Sequence, residues 1–144
     1  MNTGLLHLHS SIPYLLLPAL FFGILLFIFK NSQGKEFQKN DKLLALVVLI
    51  LSHLQLVVGL ILYFTGAKGF NYFSVEGFMK DPVMRLYAVE HISVMIIAIV
   101  LITMGYSKAK RKEESAAKFK TLSIFYTLGL VLILSRIPWD AWLS

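Results

Sequence analysis

The chain contains 144 residues, of which 57% are hydrophobic and only 15% are charged, and its formal net charge is +6. Its mean hydropathy is +0.71. A soluble domain this apolar would expose large hydrophobic patches, and a disordered chain is excluded by the same composition. A nucleic-acid-binding protein would explain the charge but not the hydrophobicity. Because cysteine is absent, disulfide bonds, thiolate metal ligands and Fe–S clusters are excluded as well.

Four long apolar segments follow one another along the chain. Three of them contain no Lys, Arg, Asp or Glu over residues 1–29, 43–67 and 121–135, and in 86–106 the only such residue is Glu90. A transmembrane helix needs about 20 apolar residues. The sequence therefore predicts an all-α, four-helix transmembrane bundle that forms a single membrane domain over 1–144, with spans near 10–30, 42–65, 84–106 and 119–139. The first segment lacks the basic start and the cleavage site of a signal peptide.

The basic residues predict how the bundle is oriented. Ten of the fourteen Lys and Arg residues lie in the connections between spans 1 and 2 and between spans 3 and 4. These ten are Lys30, Lys35, Lys39, Lys42, Lys108, Lys110, Arg111, Lys112, Lys118 and Lys120. The positive-inside rule places both connections in the cytoplasm. Both termini then face the outer, periplasmic side of a bacterial inner membrane. The positive charge therefore indicates how the protein is oriented in the lipid bilayer. No nucleic-acid partner is expected.

Polar side chains inside the spans are the candidates for function, because they are costly in lipid and usually face the bundle interior. All four histidines, His7, His9, His53 and His91, lie in or beside spans. Measured from the outer span ends, His53 lies about 18 Å deep and His91 about 11 Å deep. Two imidazoles at similar depth on neighbouring helices can hold haem b without covalent attachment. The spacing therefore predicts His53 and His91 as axial ligands of the haem iron.

Other arrangements of these residues stay open in the sequence. His7 or His9 replaces His53 as the partner of His91, or the protein holds a second haem near the outer surface. On a helix, His7 and His9 point about 200° apart, so only one of them faces the bundle. Small residues near His53 and His91, such as Gly59, make room for a macrocycle or simply allow close helix packing.

The charged residues near the outer side also have more than one interpretation. Glu90 either forms a structural ion pair with Arg136, orients a ligand imidazole, or relays protons. Arg85 and Arg136 lie toward the outer side, where they bind haem propionates or extend to the membrane surface as interfacial cations.

Four segments resemble a family of small bacterial four-helix membrane proteins named cytochrome b or cytochrome b-like. They are Thr3-Gly-Leu-Leu-His-Leu-His-Ser10, Ser52-His-Leu-Gln-Leu-Val-Val-Gly-Leu-Ile-Leu-Tyr63, Arg85-Leu-Tyr-Ala-Val-Glu-His-Ile92 and Ser135-Arg-Ile-Pro-Trp139. The similarity extends over nearly the whole chain. It implies a haem-binding four-helix bundle, with His53 and His91 as ligand candidates and His7 and His9 as further ones.

The sequence as a whole predicts an electron carrier or a subunit rather than a stand-alone enzyme. With both axial positions filled by histidine, the haem passes single electrons. The expected donor is a quinol, because it is the mobile reductant dissolved in the same bilayer, and the expected partner is a larger respiratory or membrane complex. The alternative is a non-catalytic accessory subunit of such a complex. A metal or proton transporter using His53, Glu90 and His91 is a third possibility.

Overall fold

A computed structural model describes residues 2–143, and all regular structure in this range is helical. The helices are α1 Asn2–Ser11, α2 Pro13–Ser32, α3 Lys39–Thr65, α4 Pro82–Arg85, α5 His91–Arg111, α6 Ser115–Arg136 and α7 Trp139–Leu143. A π-helical turn, Leu86–Glu90, joins α4 to α5. Two short 3₁₀ turns, Phe70–Ser74 and Phe78–Lys80, lie between α3 and α4. The predicted all-α fold is confirmed.

Four helical segments are long and apolar enough to cross a membrane. They are Thr3–Ser32, Lys39–Ser74, Pro82–Arg111 and Ser115–Arg136. Only 22% to 33% of the residues in their most apolar windows are buried inside the protein. The other apolar side chains, such as Phe22, Val57 and Val131, lie on the outside of the bundle. Because water disfavours so much exposed apolar surface, the fold indicates a multi-pass membrane protein.

Prolines set two of the helix boundaries. Pro13 is the first residue of α2, where its missing N–H removes no helical hydrogen bond. Ile12, between α1 and α2, keeps helical φ and ψ values of −53° and −41°, so the two helices run on from one another. At the other end, α6 stops at Arg136, two residues before Pro138. The predicted fourth span, 119–139, ends three residues beyond the observed helix.

The four long helices form a closed ring of contacts. Helix α2 packs against α3 and α6, and α5 packs against the same two helices. Helices α5 and α6 come especially close where glycines replace larger residues. A Cβ atom added to Gly129 would lie 2.7 Å from Ile102 Cγ1, and one added to Gly105 would meet the Phe125 side chain. Small residues at such contacts allow membrane helices to approach closely.

We call the end of the bundle formed by the connections 33–38 and 112–114 the basic end. Its core is aromatic: Phe27, Phe119 and Tyr126 are fully buried, and the Tyr126 hydroxyl donates a 2.8 Å hydrogen bond to the Ala45 carbonyl. The side chain of Asp41 is 1% exposed and lies 2.8 Å from Lys30 Nζ. This ion pair ties the end of α2 to the start of α3.

The opposite end of the bundle, which we call the histidine end, carries the short elements. Helix α7 packs on the α1–α2 junction: Trp142 Nε1 donates to the Ser10 carbonyl at 2.9 Å, and the rings of Tyr14 and Trp142 are 4.9 Å apart. Tyr63 donates a 2.6 Å hydrogen bond to the Ala88 carbonyl, which fixes α3 against the π turn. These contacts position the residues of the candidate site.

Candidate functional site

The structure brings His9 and His91 together at the histidine end. His9 lies near the end of α1, and His91 is the first residue of α5 after the π turn. Their ring centroids are 6.2 Å apart and the ring planes are nearly perpendicular, at 86°. Both residues are half-buried. This is the one histidine pair in ring contact among residues 2–143, and one of the alternatives left open by the sequence contains it.

The His91 ring is oriented by the end of α6. Its Nδ1 atom lies 2.8 Å from the carbonyl oxygen of Arg136. A carbonyl oxygen only accepts, so Nδ1 carries the proton and donates this hydrogen bond. The neutral ring then has its lone pair on Nε2. Histidines that bind metals commonly donate their other N–H to a backbone carbonyl in this way, which fixes the tautomer.

One polar contact and one steric contact hold His9 against α3. Gln55 Nε2 donates a 2.8 Å hydrogen bond to the His9 carbonyl oxygen. A Cβ atom added to Gly59 would lie 3.0 Å from His9 Cε1, so glycine lets the ring approach the helix. Within residues 2–143, His9 Nδ1 and Gln55 Oε1 are buried and have no hydrogen-bond partner. The site therefore has buried polar atoms with capacity to bind a further group.

Few residues of α3 and α5 are fully buried near the histidine pair. Ala88 and Ala98 are buried, but no residue between them is. On the facing helix, Val58 is the only buried residue after Ser52 within α3. The buried core nevertheless reaches this end of the bundle, where Ile12, Leu16 and Ile133 are buried.

A charged cluster lies beside the histidine pair. Glu90 accepts a 2.7 Å hydrogen bond from Arg85 Nε, and its other carboxylate oxygen lies 3.6 Å from Arg136 Nε. The predicted ion pair of Glu90 with Arg136 is present, and Arg85 joins it. Arg85 also donates to the Met79 carbonyl at 2.9 Å. Because two guanidinium groups face one carboxylate, the cluster keeps an excess positive charge.

His53 lies away from this site. Its Nε2 atom is 2.9 Å from the Thr103 hydroxyl oxygen, and Thr103 donates its own proton to the Ile99 carbonyl at 2.7 Å. Thr103 lies about 18 Å along α5 from His91. The sequence predicts His53 and His91 at similar depth. The structure instead separates them along the bundle. The sequence estimate puts the two histidines about one helical turn apart in depth, whereas His53 contacts α5 twelve residues beyond His91.

His7 is also separate from the pair. It lies two positions before His9 on α1, which turns its side chain to a different face, and the side chain is exposed. Of the predicted site residues, His9, His91, Arg85 and Arg136 are therefore gathered at one end of the bundle. His7 and His53 are on its surface.

The donor set defines what this site can hold. Among residues 2–143 no three His, Asp or Glu side chains form a group able to bind a metal ion. A structural zinc site takes four protein ligands, whereas haem iron needs only one or two because the macrocycle fills the other positions.

The spacing of the two rings also fits such a ligand pair. An imidazole nitrogen bonds a first-row metal at about 2.0 Å, so two rings on opposite sides of one metal atom have centroids about 6 Å apart. The observed separation is 6.2 Å. Two histidines with this separation could hold such a group between their nitrogen atoms. The chain matches no protein-family model, no curated protein and no solved structure.

Proposed function

We propose that this chain is a membrane-embedded, b-type cytochrome-like electron carrier that binds one haem b through His9 and His91. The observation that carries this proposal is the ring pair at 6.2 Å, in which His91 is oriented by the Arg136 carbonyl. Both side chains come from segments that resemble the small bacterial four-helix cytochrome b-like family, and we propose that the chain belongs to it. His53, the leading ligand candidate in the sequence, has no place in this pair.

The chemistry that a bound haem b supplies is the transfer of single electrons. The residues of the chain bind and orient it. His9 and His91 would supply the two nitrogen ligands that hold it, and the Arg136 carbonyl favours the His91 tautomer with the lone pair on Nε2. Arg85 and Arg136, with one carboxylate between them, retain positive charge for the carboxylates of the macrocycle.

We place the protein in a bacterial inner membrane, with the basic end in the cytoplasm. Lys30, Lys35 and Lys39 lie in or beside one connection of this end, and the basic residues from Lys108 to Lys120 lie in or beside the other. The positive-inside rule assigns both connections to the cytoplasm. Both termini and the His9–His91 pair then lie toward the periplasmic side. A quinol dissolved in the bilayer is the proposed electron donor, and a respiratory membrane complex is the proposed acceptor.

The absorbance spectrum of the purified full-length protein tests this proposal. We expect a Soret band that shifts on reduction with dithionite. The band should be lost in His9→Ala and in His91→Ala, because each removes one of the two histidines that would hold the haem. It should be kept in His53→Ala and His7→Ala, which are the matched controls. A colourless protein without bound iron, or loss of the band in His53→Ala with retention in His9→Ala, would contradict the proposal.

A second function, that of a non-catalytic accessory subunit, has one observation in its favour. The His53 side chain is exposed on the outside of the bundle, where it contacts Thr103. A polar side chain facing hydrocarbon is costly unless another helix covers it. Stable co-purification with a larger membrane protein, lost in His53→Ala but kept in His9→Ala, would support this function.

A further inference from the structure

A small cavity opens at the basic end, far from the histidine pair. It has a volume of about 80 Å³ and lies between the start of α3, the end of α5 and the start of α6. Its lining includes three lysines, Lys42, Lys110 and Lys118, one from each helix. The rest is mainly apolar or aromatic, with Phe37, Tyr106 and Leu122 among the lining residues. No Asp or Glu lines the cavity.

The three lysines keep their charge available for a ligand. Within residues 2–143, none of them forms an ion pair with a carboxylate. Lys118 is positioned by the protein: its Nζ atom donates to the Ala109 carbonyl at 3.1 Å and lies 5.6 Å from the centre of the Phe37 ring. An ammonium group has three N–H donors, so Lys118 retains two of them. The three lysines therefore offer positive charge to an anion, and the protein fixes the position of one of them, Lys118.

The position of the cavity indicates the kind of anion. It lies where three of the apolar helices end, which is the level of lipid headgroups. A ligand here meets cations on one side and apolar side chains such as Leu122 on the other. Basic pockets between transmembrane helices bind anionic lipid headgroups, since the phosphate meets the cations and the rest of the lipid meets apolar surface.

We propose that this cavity binds the phosphate group of an anionic phospholipid. Lys110 and Lys118 contact the phosphate oxygens, Lys42 adds charge at the edge of the site, and the lipid chains lie along the exposed apolar surface of the neighbouring helices. This site is independent of the histidine pair, and it does not rest on the proposed electron-transfer function.

Native mass spectrometry of the detergent-solubilised full chain tests the proposal. The protein is mixed with phosphatidylglycerol or with phosphatidylcholine, which is zwitterionic. We expect one phosphatidylglycerol to be retained at collision energies that remove phosphatidylcholine. Lys118→Gln and Lys110→Gln should each weaken retention about tenfold, since each removes a charged hydrogen-bond donor. Lys110 is exposed, so its variant remains informative if Lys118→Gln does not fold.

Lys120→Gln is the matched control. Lys120 lies on α6, as Lys118 does, but it is exposed and does not line the cavity. It removes the same charge and should leave lipid retention unchanged. An equal loss of lipid retention in Lys120→Gln would overturn the proposal, because surface charge alone would then explain the retention. Equal retention of the two lipids would overturn it too. Displacement of the lipid by millimolar inorganic phosphate would show that free phosphate, and not a lipid, is the ligand.

Discussion

Gly59 determines how closely the His9 ring approaches α3. This contact depends on the absence of a Cβ atom at position 59. The Cβ position of Gly59 lies 3.0 Å from His9 Cε1, tighter than an ordinary van der Waals contact. By contrast, a Cβ on Gly23 would lie 3.5 Å from Leu44, which is an ordinary contact.

Gly59→Ala should therefore move the His9 ring by a few tenths of an ångström. If His9 is an axial ligand, the change alters the geometry at the iron, and we expect a shifted midpoint potential and altered g-values in the electron paramagnetic resonance spectrum. Gly23→Ala, which adds the same methyl group to a helix glycine away from the histidines, should leave both unchanged. Identical spectra for the wild type and Gly59→Ala would count against His9 as a ligand.

Asp41 is the most deeply buried charged residue of the described chain. Both of its carboxylate oxygens accept from Lys30 Nζ, at 2.8 and 2.9 Å, and Oδ2 also accepts from the Gln38 backbone N–H at 2.9 Å. The carboxylate thus joins α2 to α3 and caps the start of α3. Removing one partner of a buried pair leaves an uncompensated charge.

Asp41→Asn should lower the free energy of unfolding by about 3 kcal/mol, the low end of the cost of breaking a buried ion pair, because the amide can still cap α3 but does not neutralise Lys30. Unfolding in detergent, followed by circular dichroism, measures this change. Asp140→Asn, at an exposed position in α7, removes the same charge and should have little effect. Equal stability of the two variants would mean that the Lys30 pair contributes nothing to the fold.

Individual contacts explain why the site was only partly predictable. His9, His91, Arg85 and Arg136 stand out in the sequence because polar residues in apolar segments are few. Their grouping was not predictable, because it depends on the level at which α3 meets α5. The hydrogen bond from Tyr63 to the Ala88 carbonyl is one of the contacts that join the two segments. A backbone carbonyl leaves no signal in a sequence, and neither does the Arg136 carbonyl that orients His91.

Helices α5 and α6 make the closest contact between elements of the bundle. A methyl group on Gly105 would collide with the Phe125 side chain near its attachment to the backbone, where the chain cannot turn aside. On the facing helix, Gly129 is closed off by Ile102 and by the Ala98 carbonyl. The contact therefore depends on the two glycines and on close approach of the backbones.

Gly105→Ala should separate α5 from α6 and destabilise the bundle by about 1–3 kcal/mol. The midpoint of thermal unfolding in detergent is the measurement. Gly4→Ala serves as the control, because a Cβ on Gly4 meets nothing within 4 Å. Comparable midpoints for both variants would show that α5 and α6 can repack around an added methyl group.

The helices themselves were largely predictable. Their lengths follow from uncharged segments, and Pro13 and Pro138 mark boundaries through a purely local effect on hydrogen bonding. The predicted spans agree with the observed helices except at the ends: the first three helical segments continue beyond the predicted spans, and α6 begins earlier and ends three residues before the predicted end of span 4. The π turn was not predicted, since its extra residue in the helical ladder depends on tertiary contacts rather than on composition.

The molecule as a whole has an unequal distribution of charge between its two ends. The basic end carries most of the lysines, whereas the histidine end has the cluster of Arg85, Glu90 and Arg136. Because basic residues near span ends are retained in the cytoplasm, this distribution predicts the orientation in the membrane.

The absence of cysteine makes this orientation directly measurable. Gln33→Cys at the basic end and Glu76→Cys in the connection between α3 and α4 each introduce one exposed thiol. In intact cells, a membrane-impermeant maleimide should label position 76 and not position 33, while both should react after permeabilisation. Labelling of position 33 in intact cells would reverse the proposed topology.

The π turn Leu86–Glu90 has a consequence for how the site arose and how it can be lost. A π turn is an α-helix with one inserted residue. The π turn brings two residues five positions apart, Arg85 and Glu90, onto one face of the helix. In a regular α-helix of the same length they would lie about 140° apart. Deleting Val89 would remove the extra residue and leave the pair four positions apart on a regular helix, where the two side chains still share a face. The ion pair therefore tolerates this deletion, whereas a substitution that turned the segment into a regular α-helix of unchanged length would separate Arg85 from Glu90.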